Sequence, residues 1–507
     1  MKKNFLCRWL FLLAFVPALV FAGSSVTTPN PKLYSDALRA DIASTATGKG
    51  SALVGNMPQG ASAVPATVQG KLGEVVSVKD KGAVGDGVAD DTAAISAALA
   101  ASKSVYFPTG IYLINSSISL QSGSRLHGDG IDKTILRYTA NANGAMLNAD
   151  SGSSSAYMIG VEVRDMTLDG MSDTLGFSEH VHLLGFNGVK NAVVEGVKFR
   201  APRGDGLYVG SGISGGTERH NVSVVVRNNL FNGINKTNRN GISVIDCNGL
   251  TIENNEFRNL TSAGMPGPID VEPNNSHNVV KSIRISGNKF YANGGGTLIA
   301  VVTTSSALTK PLFGLEIVGN YFDVSNTPAS GNIAVITLED TTSVAPMGIT
   351  IKGNVHHTAA VIPWNLNRLR GVTISGESID GASTSIIGRF TSSTETMRDI
   401  NIIGNTITNS SNSVGVISIA SVTGLKIIGN RIQPAASGHH AITFFGSGVT
   451  TSSREVTIAE NIFDKGAAQT DMVYVSSHKL TPASNIWHGN IEATGTLTSA
   501  FTNNTGK

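Results

Sequence analysis

A short motif that returns along most of this chain constrains its fold more than any other feature. In residues 285–290 it reads ISGNKF, an aliphatic residue and a Gly-Asn turn followed by a second apolar residue. Related copies are IENNEF, IVGNYF, IKGNVH, IIGNTI, IIGNRI and IAENIF. From about residue 160 onward the copies return roughly every 29 residues, a spacing typical of solenoid repeats and shorter than a β-propeller blade.

Each copy predicts one bent coil of a solenoid. The apolar residues on either side of the turn point inward, while Gly and Asn accept the left-handed backbone that a sharp bend needs. The Asn amide can hydrogen-bond to the Asn of the next coil, which builds a ladder. Because a coil cannot bury its apolar side alone, we expect an all-β, single-stranded parallel β-helix of about twelve coils. The aligned turn positions are Met166, Val197, Asn228, Asn255, Asn288, Asn320, Asn354, Glu377, Asn405, Asn430, Asn461 and Asn490.

The composition fits such a solenoid and excludes other classes. Hydrophobic residues make up 41% of the 507 residues, and the 57 glycines exceed the usual share of about 7%. Charged residues reach only 15%, and the formal net charge is +2. This glycine-rich, weakly charged composition does not suit a helical bundle. Since no basic block follows the first few residues, the sequence does not predict a nucleic-acid partner either.

The first 22 residues have the pattern of a secretory signal peptide. Lys2, Lys3 and Arg8 precede an apolar run that ends at Ala22 and is short for a membrane-spanning helix. We expect cleavage near Ala22 and a secreted, periplasmic or cell-surface protein, with an uncleaved membrane anchor as the alternative.

Three further segments follow this signal. Residues 23–73 are rich in Ala, Gly, Ser, Thr and Pro and predict a lead-in segment. Residues 74–495 carry the β-helix pattern, and residues 496–507 form a short tail.

A capping helix is predicted at the start of the β-helix. Asp90, Asp91 and Thr92 open an Ala-rich stretch whose apolar residues lie on one face, and acidic or hydroxyl side chains suit a helix N-terminus. Asp80 and Asp86 complete an acidic cluster, which we interpret as turn and cap structure rather than a catalytic group.

This opening segment resembles that of a known superfamily. Residues 76–99, VSVKDKGAVGDGVADDTAAISAAL, and residues 105–114, VYFPTGIYLI, resemble the rhamnogalacturonase/epimerase-type opening motif of the pectate-lyase-like right-handed parallel β-helices. In that superfamily the motif forms the first coil and its capping helix. Residues 38–55 and 63–72 are similar to the segment that precedes this motif in bacteriophage tailspikes and capsular depolymerases.

The resemblance implies a polysaccharide ligand and allows a homotrimer, the assembly of tailspikes. Superfamily members cleave, epimerise or only bind polysaccharides, so the fold alone does not choose among these activities. The secretory signal departs from the tailspike pattern, because tailspikes assemble in the cytoplasm.

The strongest catalytic candidates lie in residues 267–275, GPIDVEPNN. If Ile269 and Val271 face inward, Asp270 and Glu272 project together from the outer face of one strand. Their separation of about 7 Å suits an acid–base pair. A solvated pair, a calcium-binding pair and a sugar-binding pair are the alternatives.

Neighbouring coils supply partners for this pair. Tyr208 lies between Leu207 and Val209, so it points outward near the column of Ser243 and Asp270. The predicted substrate-binding residues are Tyr208 together with Arg203 and Asp205, which lie in the turn before that strand. Glu339 has the same parity as Glu272 two coils further on and is the third predicted catalytic residue.

Histidines and tryptophans carry weaker signals. His180 and His182 share a strand face and could bind a metal or act as a base, but we interpret them as surface or turn residues. The adjacent pairs His356-His357 and His439-His440 are interpreted as loop residues. Sugar platforms and loop packing remain equal alternatives for Trp364 and Trp487.

The complete catalytic signatures of polygalacturonases and pectate lyases are missing, so the reaction stays open. A hydrolase would use Asp270 and Glu272 as acid and base. A lyase would need a base and a cation beside a uronic acid, which favours Tyr208 and Arg203. A binding-only adhesin is the other alternative. No cofactor is predicted, although a lyase would call for Ca²⁺.

Overall fold

The computed structural model describes most of the chain in separate ranges and divides it into two units, Met1–Glu74 and Val75–Lys507. The described residues are 31–60, 62–150, 152, 156–212, 219–236, 238–262, 264–302, 308, 312–323, 332–337, 347–357, 362–381, 397–410, 415–419, 422–434, 440–445, 453–464, 473–476, 486–488 and 491–492. In these ranges, none of the helices is long and apolar enough to cross a membrane.

The first unit is built from short elements. Its helices are Pro31–Ala43 and Val68–Leu72, and a 3-10 turn covers Gly50–Leu53. Strand Gly55–Asn56 pairs antiparallel with Ala66–Thr67. The Thr67 hydroxyl caps the second helix by accepting from the Gly70 N–H at 3.0 Å.

The second unit is a parallel β-helix, which confirms the predicted fold class. Each coil adds strands that pair in parallel with those of the preceding coil, and the apolar side chains between the sheets form one continuous core. Within the described residues, the sheet that later bears the groove has nine strands, Ile118–Ser119, Gly144–Asp150, Val181–Asn187, Leu207–Gly210, Ile242–Val244, Ile269–Val271, Thr297–Val302, Asn332–Thr337 and Ile362–Asn367.

The remaining strands form two further sheets. A three-stranded sheet contains Ile417–Ile419, Ile442–Phe445 and Val473–Ser476. The largest sheet in the described part of the chain contains Val76–Ser77, Asp86–Asp90, Ser104–Phe107, Gly110–Ile114, Arg125–Gly128, Thr134–Tyr138, Met158–Ile159, Glu162–Asp169, Val189–Arg200, Asn221–Arg227, Leu230–Lys236, Cys247–Glu253, Glu256–Leu260, Val280–Ser286, Lys289–Tyr291, Phe313–Val318, Tyr321–Asp323, Ile349–Lys352, Val355–His357, Arg370–Ser375, Ser378–Asp380, Met397–Ile403, Thr406–Ser410, Val422–Ile428, Arg431–Pro434, Arg454–Ala459, Ile462–Phe463, Ile486–His488 and Ile491–Glu492.

Helix Thr92–Ala101 lies at the start of this unit, after the 3-10 turn Val78–Lys81, and a one-turn helix Ser172–Leu175 follows later. The Asp91 carboxylate accepts from the N–H groups of Val84 at 2.6 Å and Gly85 at 3.0 Å. Asp80, Asp86 and Asp90 accept in the same way from backbone N–H groups near them in sequence. The acidic cluster is therefore turn and cap structure, as predicted.

The asparagine ladder is present, with one correction to its alignment. Asn229, and not Asn228, occupies the ladder position, because Asn228 takes the left-handed bend (φ 55°) that Gly287 takes elsewhere. In the ladder each side-chain carbonyl oxygen accepts from the backbone N–H of the preceding member at 2.9 Å, which satisfies buried donors at every bend. The described members are Asn229, Asn255, Asn288, Asn320, Asn354, Glu377, Asn405, Asn430 and Asn461.

A stack of rings fills the core beside this ladder. Neighbouring rings among Phe199, Phe231, Phe257, Phe290 and Phe322 have centroids 4.5 to 4.9 Å apart.

His356 continues this ring stack, 5.0 Å from Phe322. The interpretation of His356 as a loop residue is wrong, because it lies in strand Val355–His357 and is buried. Trp364 packs edge-on against His356 and is fully buried, so it is a packing residue and not a sugar platform, although it packs from strand Ile362–Asn367 and not from a loop. His439 and the side chain of Trp487 lie outside the described residues.

Candidate functional site

A groove of about 640 Å³ runs along the outer face of the nine-stranded sheet. Its described lining mixes carboxyl groups, amides, hydroxyls and rings. The lining residues are Ser117, Asn143, Gly144, Ala145, Asn148, Glu179, His180, His182, Gly185, Asn187, Asp205, Tyr208, Arg239, Ser243, Ile245, Asp270, Glu272 and Asn274.

The predicted column of outward side chains forms the floor of this groove. Tyr208 pairs with Ser243, and Ser243 pairs with Asp270, in successive parallel strands. Ile269 and Val271 on either side of Asp270 are fully buried in the core. The alternation that placed Asp270 on the outer face is therefore confirmed.

Glycines leave room for the side chains that line the groove. A Cβ on Gly210 would lie 2.4 Å from both Asn187 Oδ1 and Tyr208 Cε1. A Cβ on Gly185 would lie 2.9 Å from the Cβ of Ala145. Any larger residue at these two positions would displace the Tyr208 ring or fill the groove floor.

Asp270 is buried and still borders the groove. The Asn240 side-chain amide donates to its Oδ2 at 3.1 Å. Burial and the negative charge of nearby Glu272 raise the pKa of Asp270 from 3.8 to about 7. Asp270 can therefore hold a proton near neutral pH, which is the state that a general acid needs.

Asp205 is in the opposite situation. It is fully buried, and burial alone would raise its pKa, but His182 and Arg239 outweigh that effect and hold the pKa below its usual value. Arg239 Nη1 lies 2.7 Å from Asp205 Oδ1. The groove thus contains two carboxyl groups whose surroundings push their pKa values apart, a feature that is common at catalytic sites.

His182 connects Asp205 to Tyr208. Its ring stacks on the Tyr208 ring with centroids 4.6 Å apart. His182 Nδ1 lies 3.1 Å from the Asp205 N–H and 3.2 Å from Asp205 Oδ2, so an unprotonated Nδ1 accepts from the backbone and a protonated one donates to the carboxylate. The surface interpretation is wrong for His182, which is buried in a strand, and correct for exposed His180 in the preceding turn.

Arg239 is the guanidinium of the groove, a place that the sequence had suggested for Arg203. Arg203 is fully buried, lies outside the groove lining, and donates to Asn141 Oδ1 and to the backbone carbonyls of Tyr138 and Ala140. Its side chain turns into the coil instead of outward. Arg203 is therefore a structural residue, and the geometry gives it no contact with a substrate.

The structure brings together Asp270, Glu272, Tyr208 and Asp205 from the predicted set. Glu339 lies outside the described residues. Strand Asn332–Thr337, which precedes it, pairs with Thr297–Val302, and Val335 is the register partner of Ala300 as Ala300 is of Asp270.

Sequence reasoning missed Arg239 and Asn240, although register could have found them, and it interpreted His182 as a surface or turn residue. The strand starts Leu207 and Ile242 are paired, and a Gly precedes each of them. This pairing puts Asn240 opposite Asp205, with Arg239 one residue earlier, in the same turn of the next coil.

The groove residues do not fit a calcium ion. Within the described ranges, no group of three or more His, Cys, Asp or Glu side chains could hold a metal. Asp205 faces Arg239 and His182, and Asp270 is poised to bind a proton. We therefore derive no step through a metal.

The part of the chain that carries the groove resembles a known family. Residues 75–294 match the family described as Rhamnogalacturonase A/epimerase, pectate lyase-like, so this part of the chain is similar to a pectate-lyase-like domain. The resemblance inferred from the opening motif is confirmed, and the match includes strand Ile269–Val271 and the groove turns before it.

Individual relatives cover parts of the chain. The mannuronan C5-epimerase AlgE2 of Azotobacter vinelandii is 27% identical over 274 residues, which are 49% of this chain and 24% of that protein. The pre-neck appendage protein of Bacillus phage B103 is 29% identical over 159 residues, which are 27% of this chain and 18% of that protein. The chain thus spans less than a quarter of the length of both proteins.

A solved structure shares the fold over nearly the whole chain. The tailspike protein of E. coli bacteriophage HK620, in complex with a pentasaccharide, matches with a TM-score of 0.52 at 14% identity. The match covers 90% of this chain and 84% of that chain. At this identity the likeness establishes the parallel β-helix fold alone.

Proposed function

We propose that this protein is a polysaccharide hydrolase whose active site is the groove around Asp270. The observation that carries the proposal is the proton-holding Asp270 beside Glu272 on the floor of an open groove. The polysaccharide ligands of related proteins support it, since one relative is named as a mannuronan epimerase and a structural neighbour holds a pentasaccharide.

In the proposed reaction Asp270 acts as general acid and Glu272 as general base. Asp270 donates its proton to the glycosidic oxygen as the bond from that oxygen to the anomeric carbon breaks. Glu272 takes a proton from the attacking water, whose oxygen forms the new bond to the anomeric carbon. Exchange with solvent then returns the proton to Asp270 and removes it from Glu272.

The proposed reaction inverts the anomeric configuration, because the activated water displaces the leaving group in one step from the opposite face. Glu272 follows directly after strand Ile269–Val271 and lines the groove together with Asp270. Nuclear magnetic resonance of the freshly released reducing end would show the inverted anomer. A retained anomer would instead assign Glu272 as a nucleophile.

Lyase chemistry has less support from the geometry. It needs a base that is unprotonated near neutral pH and a cation that is available to neutralise the carboxylate of a uronate. Burial and the charge of Asp205 raise the pKa of Tyr208. Arg239 already binds Asp205 and lies 3.4 Å from Glu179.

An assay on capsular, extracellular and pectin-like polysaccharides tests the proposal. New reducing ends without the ultraviolet absorbance of unsaturated uronates would identify a hydrolase. New ends together with that absorbance would identify a lyase. Binding without cleavage would contradict the enzyme proposal and support a carbohydrate-binding or adhesin-like protein.

We also propose export, with cleavage near Ala22, because of the basic and apolar pattern of the first 22 residues. N-terminal sequencing of the protein recovered from the periplasm or medium would begin just after Ala22. Recovery of the uncleaved chain in the membrane fraction would support the anchor.

We propose a homotrimer as the assembly. The helix Pro31–Ala43 exposes Tyr34, Leu38 and Ile42, which are four residues apart on one face and form an apolar stripe. Light scattering during size-exclusion chromatography would give three chain masses. One chain mass would contradict the trimer.

A further inference from the structure

The charges of the groove distinguish between classes of glycan. Among the described lining residues, four carboxyl groups come from Glu179, Asp205, Asp270 and Glu272, against one guanidinium from Arg239. Asp205 and Asp270 are buried, and charges near buried groups are screened far less by water and salt than exposed ones. Even with Asp270 protonated, as the proposed reaction requires, Glu179, Asp205 and Glu272 outnumber the one guanidinium, so a uronate carboxylate in this groove would meet repulsion.

The one guanidinium of that lining already has protein carboxyl groups beside it. Arg239 Nη1 lies 2.7 Å from Asp205 Oδ1 and donates to Ser243 Oγ at 3.3 Å. Its Nη2 lies 3.4 Å from Glu179 Oε1. A sugar carboxylate that pairs with Arg239 would therefore lie beside the carboxyl groups of Asp205 and Glu179, which repel it.

The imidazoles do not reverse this balance. His182 has one nitrogen at Asp205 and its ring face against Tyr208. His180 is an exposed turn residue at the same groove. Any charge on His182 is matched by the adjacent Asp205 carboxylate.

The rest of the lining suits neutral hydroxyl and amide groups. Asn143, Asn148, Asn187 and Asn274 provide side-chain amides, and Ser117 adds a hydroxyl. Amides and hydroxyls both donate and accept, so they match sugar hydroxyls and N-acetyl groups without a net charge.

We propose that the groove selects an uncharged glycan, built from neutral hexoses or N-acetylated hexosamines, and rejects polyuronates. The inference rests on the proposed function only in that the groove holds a glycan chain. It differs from the substrate named for the epimerase relative, since mannuronan carries one carboxylate per sugar. The difference arises from the paired state of Arg239 and the excess of carboxyl groups.

Binding by the full protein carrying Asp270→Asn separates substrate class from catalysis. Immobilised bacterial glycans, neutral and uronate-containing, would be probed with this variant and with the wild type. Oligouronates of one length and linkage would then be compared with the same oligomers after chemical reduction of their carboxyl groups to alcohols. We expect neutral glycans to bind and the reduced oligomers to bind at least about tenfold more tightly than the uronates.

Equal or tighter binding of the uronates would overturn the proposal, and so would the absence of binding to every neutral glycan. Neutral glycans that bind but remain uncut by the wild type would leave the selectivity standing and contradict the hydrolase. A second variant, Glu179→Gln, removes one repelling charge and releases one contact of Arg239. It should narrow the difference between uronate and reduced oligomer, and an unchanged difference would contradict the electrostatic cause.

Discussion

Two buried histidine–carboxylate pairs lie in this solenoid on opposite sides of its sheets. His356 Nε2 lies 2.9 Å from Glu377 Oε2 inside the coil stack. His182 Nδ1 lies 3.2 Å from Asp205 Oδ2 at the groove. Because both pairs consist of a histidine and a carboxyl group, their different roles come from their surroundings.

The inner pair is enclosed by the ladder and the ring stack. Glu377 Oε1 accepts from both nitrogens of Asn354 at 2.9 Å. The ring of His356 packs between Phe322 and Trp364. Glutamate replaces the ladder asparagine in one coil, and histidine replaces the stacked phenylalanine in the coil before it, so the pair joins two coils.

The outer pair borders groups that can act on a ligand. Asp205 binds Arg239, His182 stacks on Tyr208, and Asp270 with its raised pKa lies among the same lining residues. A histidine–carboxylate pair on the core side stabilises the stack, whereas one on the groove side contributes to the surroundings of a site. Which face a pair occupies therefore decides its role.

The largest expected effect is on activity. Asp270→Asn keeps the shape and a hydrogen-bonding group but removes the transferable proton, so we expect hydrolysis to fall by about 10² to 10⁴-fold. Initial rates of reducing-end release measure it, and circular dichroism checks the fold. Glu316→Gln is the matched control, because its exposed carboxylate pairs with Arg284 far from the groove lining. Full activity of Asp270→Asn would place the general acid elsewhere.

The next effect is on stability and concerns the inner pair. Glu377→Ala leaves both Asn354 nitrogens and His356 Nε2 without their acceptor, so we expect a loss of about 3 kcal/mol in the free energy of unfolding. Glu377→Gln restores a ladder amide and should cost only about 1 kcal/mol. Urea unfolding followed by tryptophan fluorescence measures both. The idea fails if Glu377→Ala unfolds at the same urea concentration as Glu316→Gln.

The third expected effect is a pH dependence of stability and activity that comes from Asp270 in the groove. Because folding raises the pKa of Asp270 from 3.8 to about 7, its stabilising contribution is present below about pH 4 and is lost as the pH rises through about 7. Hydrolysis should also fall above about pH 7, where the acid loses its proton. The unfolding midpoint of the wild type should fall as the pH rises from about 4 to about 7. The midpoint of Asp270→Asn should change less over the same range. Identical pH slopes for the two proteins would contradict the raised pKa.

The smallest expected effect is that of Tyr208→Phe. The ring can still stack on His182, and the hydroxyl has no step in the proposed reaction, so activity should change by less than about threefold. Initial rates on the cleaved polysaccharide measure this change. A loss of about 100-fold or more would instead assign Tyr208 as a base and favour a lyase.

Much of the fold was predictable because its signals are local and repeated. The Gly-Asn turns, the alternation around Asp270 and the acidic cap all depend on residues close together in sequence. The one-residue error at Asn228 arose because two consecutive asparagines fit either the bend or the ladder, and only pairing with the next coil distinguishes them.

The site was predictable only where alternation decided it. Asp270 and Tyr208 follow from period two on short strands, and Glu272 lies directly after the strand of Asp270. Arg203 and Arg239 lie in irregular turns, where backbone direction is set by packing against the neighbouring coil. Sequence spacing could not tell which guanidinium turns inward to carbonyls and which turns outward to Asp205.

The sequence by itself determined the parallel β-helix, its capping helix and the outward column of Asp270, since each depends on local turn chemistry and side-chain alternation. Only the tertiary structure decided that Asp205 and Asp270 have opposite pKa shifts, that His182 belongs to the groove and that His356 belongs to the core. The physical reason is that burial and charge pairing depend on residues about 20 to 40 positions apart, which meet only when coils stack.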